Sequence, residues 1–136
     1  MQYYEIRSAK ITGTSYREIY KVAHRIYKNL GRKTKRRPYI RSAYFKKCKI
    51  FLGLFWQHLE DKFNNNDKAR RLKYYTCALE LIEKSKLDPI SKENVDRPSE
   101  ILHRFAGRTK DNVVLFVQIK EDKRSGEKFL ISIFPL

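Results

Sequence analysis

The stretch from Ile101 to Pro135 constrains the chain most, because two tight turns divide it into three apolar-rich runs. Arg124-Ser125-Gly126 has turn chemistry, with glycine able to take a positive φ after a type I turn. Lys110-Asp111-Asn112 fits the same three-residue loop, since asparagine tolerates the left-handed position. Three antiparallel strands follow, and the loops fix their register. Phe105 falls opposite Val117, Val117 opposite Ile133, and Ile119 opposite Ile131. One face then carries Phe105, Val113, Leu115, Val117, Ile119, Phe129, Ile131 and Ile133, and needs a cover. The other carries Arg104, Arg108, Phe116, Gln118, Lys120, Leu130, Ser132 and Phe134, with Arg104, Gln118 and Ser132 in one row. A two-residue first turn would put His103 or Phe105 in place of Arg104; the three-residue turn is preferred because it buries Phe105.

Helical periodicity upstream supplies the cover. Ser15 and Glu18 have capping-box spacing, and Ile19, Val22, Ala23, Ile26, Tyr27 and Leu30 recur at helical intervals before Gly31 stops the helix. Arg32 to Arg37 is too densely like-charged to fold on itself and reads as a solvated loop, with Arg36 and Arg37 available to phosphate. A second helix is expected from about Pro38 to Ser42 through about Phe63, with Cys48, Phe51, Leu52, Phe55, Trp56, Leu59 and Phe63 on its apolar stripe. A third runs from about Asp67, capped by Asn66 or Asp67, to Lys86, burying Leu72, Tyr75, Leu79 and Ile82. Arg70, Arg71 and Lys73 would crowd its first turns against the macrodipole, which suggests an anionic partner. Residues 1–13 are ambiguous, and 87–100, with Pro89 and Pro98, form an irregular connector. The expected architecture is α+β in one domain, residues 1–136: a helical part over about 14–86, the connector, then the sheet over 101–135. About three N-terminal helices pack on one face of a C-terminal antiparallel sheet of three or more strands.

Charge narrows the partners. Thirty-one Lys and Arg against 15 Asp and Glu leave a net charge of +16, a surplus that self-repels and suits a polyanion. Nucleic acid leads; a ribosomal or architectural protein would show the same balance, and an anionic membrane surface fits less well because the helices have bulky core-like faces. Cys48 and Cys77 lack metal-site spacing and fall in helical apolar patterns, so both are expected to be small buried hydrophobes. The N-terminal MQYYEIRSAK has no apolar leader core and the run from Ile50 to Trp56 is too short to span a bilayer, so a cytoplasmic protein is expected.

There is no phosphate-cradling glycine loop, nucleophile elbow or HExxH motif. His24, His58 and His103 are scattered, acidic residues do not cluster, and no metal or cofactor is expected. Metal-free RNA cleavage asks for less: a base for the 2′-OH proton, an acid for the leaving oxygen, and cations for the phosphorane. Arg104, Arg108 and Lys120 can supply the cations, and Ser132 or Gln118 can hold a phosphate oxygen. His58 or His103 is the natural proton-transfer group, and Phe116 and Phe134 can stack a base. The competing readings are a solvated polar sheet face with structural histidines, and a nucleic-acid-binding platform without catalysis.

Several segments together carry a family resemblance: Arg71-Leu72-Lys73-Tyr74-Tyr75 with Cys77 to Ile82, Leu102 to Gly107, Phe116 to Glu121, and Ile131 to Pro135. Over roughly residues 40–135 the chain resembles small phage and mobile-element proteins of the barnase/EndoU/colicin/RelE-like nuclease group, in which helices precede an antiparallel sheet. The resemblance implies a ribonuclease toxin or effector acting on RNA, with an acidic antitoxin or immunity protein as a possible partner. An Arg-aromatic pair on the first strand and a Ser or Thr on the last belong to that group's site, and they match Arg104-Phe105 and Ser132. The group's sheet usually has four or more strands where three are clear here, and no general base of the group is matched.

Overall fold

The computed structural model describes residues 2–62 and 64–136. The three C-terminal runs form its central strands: β5 (Glu100–Arg108), β6 (Val114–Asp122) and β7 (Lys128–Pro135). Both turns take the expected form, with φ of 69° at Asn112 and 76° at Gly126. Phe105 pairs with Val117 and Val117 with Ile133, and the row Arg104–Gln118–Ser132 is present. The register departs at a bulge in β7, where Ile119 pairs with Leu130 instead of Ile131. The extra residue reverses the alternation beyond it. Leu130 is therefore fully buried rather than on the polar face, while Phe129 lies beside Lys120, and Phe129 and Ile131 are only partly covered.

Four further strands extend these three into a seven-stranded, curled mixed sheet among the described residues. They are β1 (Tyr4–Glu5), β2 (Tyr39–Ser42), β3 (Cys48–Phe51) and β4 (Ile90–Glu93). The order is β1-β5-β6-β7-β3-β2, with β4 pairing antiparallel to β5. β1 joins β5 and β3 joins β7 in parallel, so the sheet is not purely antiparallel. Two strands thus arise in segments that the sequence left ambiguous or irregular, 1–13 and 87–100.

Residues 38–62 are the largest correction. Instead of one helix, the β2–β3 hairpin precedes a shorter helix, α2 (Gly53–Lys62). Ile40, Ile50 and Leu52 are buried while Arg41 and Lys49 are exposed, a strand alternation that the downstream run of apolar residues conceals. Lys46 and Lys47 both take positive φ in the turn. Cys48 is consequently exposed; Cys77 is buried. Phe63 lies outside the described residues.

Helix α1 (Tyr16–Thr34) starts as expected: Ser15 caps it, its hydroxyl accepting from the Glu18 amide at 3.3 Å. It runs past Gly31 to a left-handed Lys35. Gly31 serves close approach instead, since a Cβ there would lie 3.2 Å from Pro38 Cγ. The expected third helix divides at Lys73-Tyr74 into α3 (Asn65–Leu72), capped by Asn64, and α4 (Tyr75–Lys84). Arg70 and Arg71 thereby fall in the last turn of α3, where cations favour the macrodipole, so these arginines do not oppose the dipole as expected and give no sign of an anionic partner. Cys77, Ala78, Leu81 and Ile82 of α4 join Phe105, Leu115, Val117, Ile119, Leu130 and Ile133 in the core, while α2 lies along β7.

Candidate nucleic-acid interface

Strand alternation turns Arg104, Phe116, Gln118, Lys120, Ser132 and Phe134 away from the buried face. Phe116 and Phe134 are cross-strand partners with ring centroids 5.3 Å apart and planes 31° from parallel. The exposed Arg104 guanidinium lies over both, 5.8 Å from the Phe116 centroid and 5.2 Å from that of Phe134, a cation–π arrangement. Arg71 reaches in from α3, its Nη1 donating to the Ile133 carbonyl at 3.1 Å and the Ser132 hydroxyl at 3.4 Å. Burial, reinforced by Arg70, lowers its pKa from the ordinary guanidinium value. Arg70 donates to the Pro135 carbonyl at 3.0 Å. Both arginines therefore secure carbonyls of β7, and Arg71 also borders the site.

Beside this aromatic cluster is a cleft of about 350 Å³. His58 of α2 lines it with Gln118 and Lys120 of β6, Glu100 of β5, and Asn94 and Arg97 from the preceding loop. The β7 bulge supplies Ile131 to its wall. Lys120 Nζ stands 3.5 Å from Glu100 Oε2, and the other Glu100 oxygen accepts from Asn94 Nδ2 at 3.0 Å. Sequence reasoning missed Glu100, Asn94 and Arg97. They stand at a connector boundary, and only the pairing of Leu102 with Lys120 brings Glu100 diagonally to that lysine.

The two candidate histidines part company. His103 shares the side of Phe105, opposite Arg104, and is 8% exposed. Its Nδ1 is 2.7 Å from Ser91 Oγ and its Nε2 2.7 Å from Glu121 Oε1, so it ties β4, β5 and β6 together. His58, not His103, is brought to Gln118 and Lys120. Arg108 lies at the far end of β5, ion-paired to Glu5. Arg36 is exposed after α1, and Arg37 pairs with Glu127 at 2.9 Å.

Among the described residues, no group of three or more His, Cys, Asp or Glu side chains is placed to hold a metal ion, and no helix is long and apolar enough to cross a membrane. Comparison with protein-family models, curated proteins and solved structures returns no match.

Proposed function

We propose that the protein is a metal-independent ribonuclease whose substrate lies on the open face of β5–β6–β7. The observation that carries this reading is the cleft in which His58, Glu100, Gln118 and Lys120 meet, next to Arg104 and Ser132. In cleavage by internal attack, the ribose 2′-oxygen bonds to phosphorus, its proton passes to a base, and the bond from phosphorus to O5′ breaks as an acid protonates the leaving oxygen. The products are a 2′,3′-cyclic phosphate and a 5′-hydroxyl. His58 and Glu100 are suited to share the two proton transfers, because both are titratable and line the same cleft. Lys120 and Arg104 offset the charge that develops on the phosphorane, and Gln118 and Ser132 donate to its oxygens. Phe116 and Phe134, beneath the Arg104 guanidinium, hold a flanking base.

The net charge of +16 supports RNA as partner. It is also the charge that an acidic antitoxin or immunity protein would complement, if the protein acts as a toxin of a mobile element. A second reading, binding without cleavage, draws on the Lys120–Glu100 contact, in which the cleft's cation and carboxylate offset one another. Labelled RNA incubated with folded protein in EDTA across about pH 5–9 decides between them, that range spanning the ordinary histidine pKa. Cleavage to cyclic-phosphate ends is expected. Intact RNA throughout, with binding retained, establishes the second reading instead.

A further inference from the structure

The open face continues past the cleft. Lys120, Phe129, Phe51 and Tyr39 are successive cross-strand partners over β6, β7, β3 and β2. Their side chains touch in series. Lys120 Nζ is 5.2 Å from the Phe129 centroid, Phe129 and Phe51 are 5.9 Å apart, and Phe51 and Tyr39 6.1 Å apart. Cations flank the rings: the Arg37 guanidinium carbon is 3.8 Å above Phe51, and Lys49 Nζ is 4.8 Å from the Tyr39 centroid. Three strand spacings of ~4.8 Å make this row ~14 Å long, about the rise of four stacked bases at ~3.4 Å each.

In the middle of the row is a slot of about 250 Å³, lined by Phe51, Phe129, Tyr27, Arg37, Leu54 and Gln57. It adjoins the His58 cleft through two shared elements. Helix α2 presents Gln57 to the slot and His58, the next residue, to the cleft; β7 presents Phe129 to the slot and Ile131 to the cleft. We infer that this slot is a subsite for one unpaired nucleobase of a single-stranded RNA, adjacent to the phosphate held in the cleft. The inference rests on the proposed ribonuclease reading for its substrate class. The Arg37 guanidinium, seated on Phe51 at 3.8 Å and held by Glu127 at 2.9 Å, offers its outer side to one face of a base, and the Phe129 ring offers a second platform. The exposed Gln57 amide has both donors and an acceptor for a base edge. Lys120 and Lys49, on either side, suit the phosphates that precede and follow. A base held within a duplex keeps its faces stacked on its neighbours and cannot enter.

The test uses a short single-stranded 2′-O-methyl RNA carrying 2-aminopurine, whose fluorescence falls when it stacks; the methylated oxygen prevents internal attack, so binding is read apart from cleavage. Wild-type protein should quench the probe. Phe51→Leu and Phe129→Leu should each weaken binding about tenfold or more and restore fluorescence, the scale of a lost base–aromatic stack. Phe51→Tyr should bind as wild type, and Gln57→Ala, exposed and outside the core, should alter the ranking of oligonucleotides that differ at one base. A duplex of the same sequence should bind wild-type protein and the Phe51→Leu variant alike. Equal single-strand affinity for wild type, Phe51→Leu and Gln57→Ala, each shown to be folded by circular dichroism, overturns the subsite even where RNA is cleaved in EDTA. Intact RNA in EDTA together with Phe51-dependent quenching removes the ribonuclease reading and leaves the subsite standing.

Discussion

Arg104 projects from the open face with its guanidinium over two rings, so truncating it removes a cation without opening the core. If it offsets phosphorane charge, Arg104→Ala should lower single-turnover cleavage by about a hundredfold or more. RNA affinity should fall far less, because many other cations share the ground-state phosphates. Arg104→Lys should rescue only in part, since a point charge lacks the planar fork. Arg36→Ala, in the exposed turn after α1, should weaken binding slightly and spare turnover. Equal modest losses of affinity at both positions, with no separate effect on cleavage, would make Arg104 an ordinary basic surface residue. Glu80 shows a different kind of residue-level constraint. Burial pushes its carboxyl up, but the Ser8 hydroxyl, the Arg7 amide, the Tyr4 phenol and the Ser8 amide together bring it down to about 2. A carboxyl depressed in the folded state contributes stability that is fully present above its unfolded pKa and is lost as pH falls from about 4.5 toward 2. Glu80→Gln should therefore reduce stability at neutral pH and flatten the acid limb of a stability–pH curve measured by urea unfolding.

At the scale of elements, what the sequence disclosed depended on whether a local signal was distinctive. The turns at Asn112 and Gly126 have residues suited to a positive φ, and they set most of the β5–β6–β7 register correctly. The β7 bulge has no such mark. Phe129, Leu130 and Ile131 are all apolar, so their composition does not say which of them points inward. In the β2–β3 hairpin the left-handed positions are lysines, Lys46 and Lys47, where a turn signature would have glycine or asparagine. The apolar residues of β3 also run directly into those of α2, and the strand-to-helix change is lost in one continuous stripe. β1 and β4 are short pairings on the edge of β5 that depend on tertiary context. Gly107 shows how tightly the elements meet: a Cβ there would lie 2.8 Å from Ile6 Cδ1 and 3.2 Å from Leu81 Cδ1. Gly107→Ala should destabilise the fold by about 1–3 kcal/mol in urea unfolding, through overpacking between β5, the N-terminal segment and α4. An unchanged midpoint would mean that Ile6 yields freely.

Over the whole molecule, a net charge of +16 would draw the proposed RNA partner in by long-range attraction. RNA affinity should fall roughly a hundredfold or more between ~50 and ~200 mM salt as bound phosphates release counterions; a flat response would exclude phosphate-driven binding. The candidate site was partly legible. Arg104, Gln118 and Ser132 followed from the register alone, and Phe116 and Phe134 from alternation. His58 could be named but not placed, because α2 reaches β7 only through tertiary packing. Glu100, Phe51 and Phe129 required, respectively, the strand pairing, the hairpin and the bulge. The function proposed for this assembled face is cleavage of RNA by attack of its own 2′-hydroxyl. Its most direct test is a single labelled RNA cut by the wild-type protein in EDTA, compared with the same strand bearing one 2′-deoxy nucleotide immediately 5′ of the cut linkage. The all-ribose strand should yield cyclic-phosphate ends while the substituted linkage stays intact with affinity little changed. Cleavage of both strands at that linkage, or of neither, would contradict it.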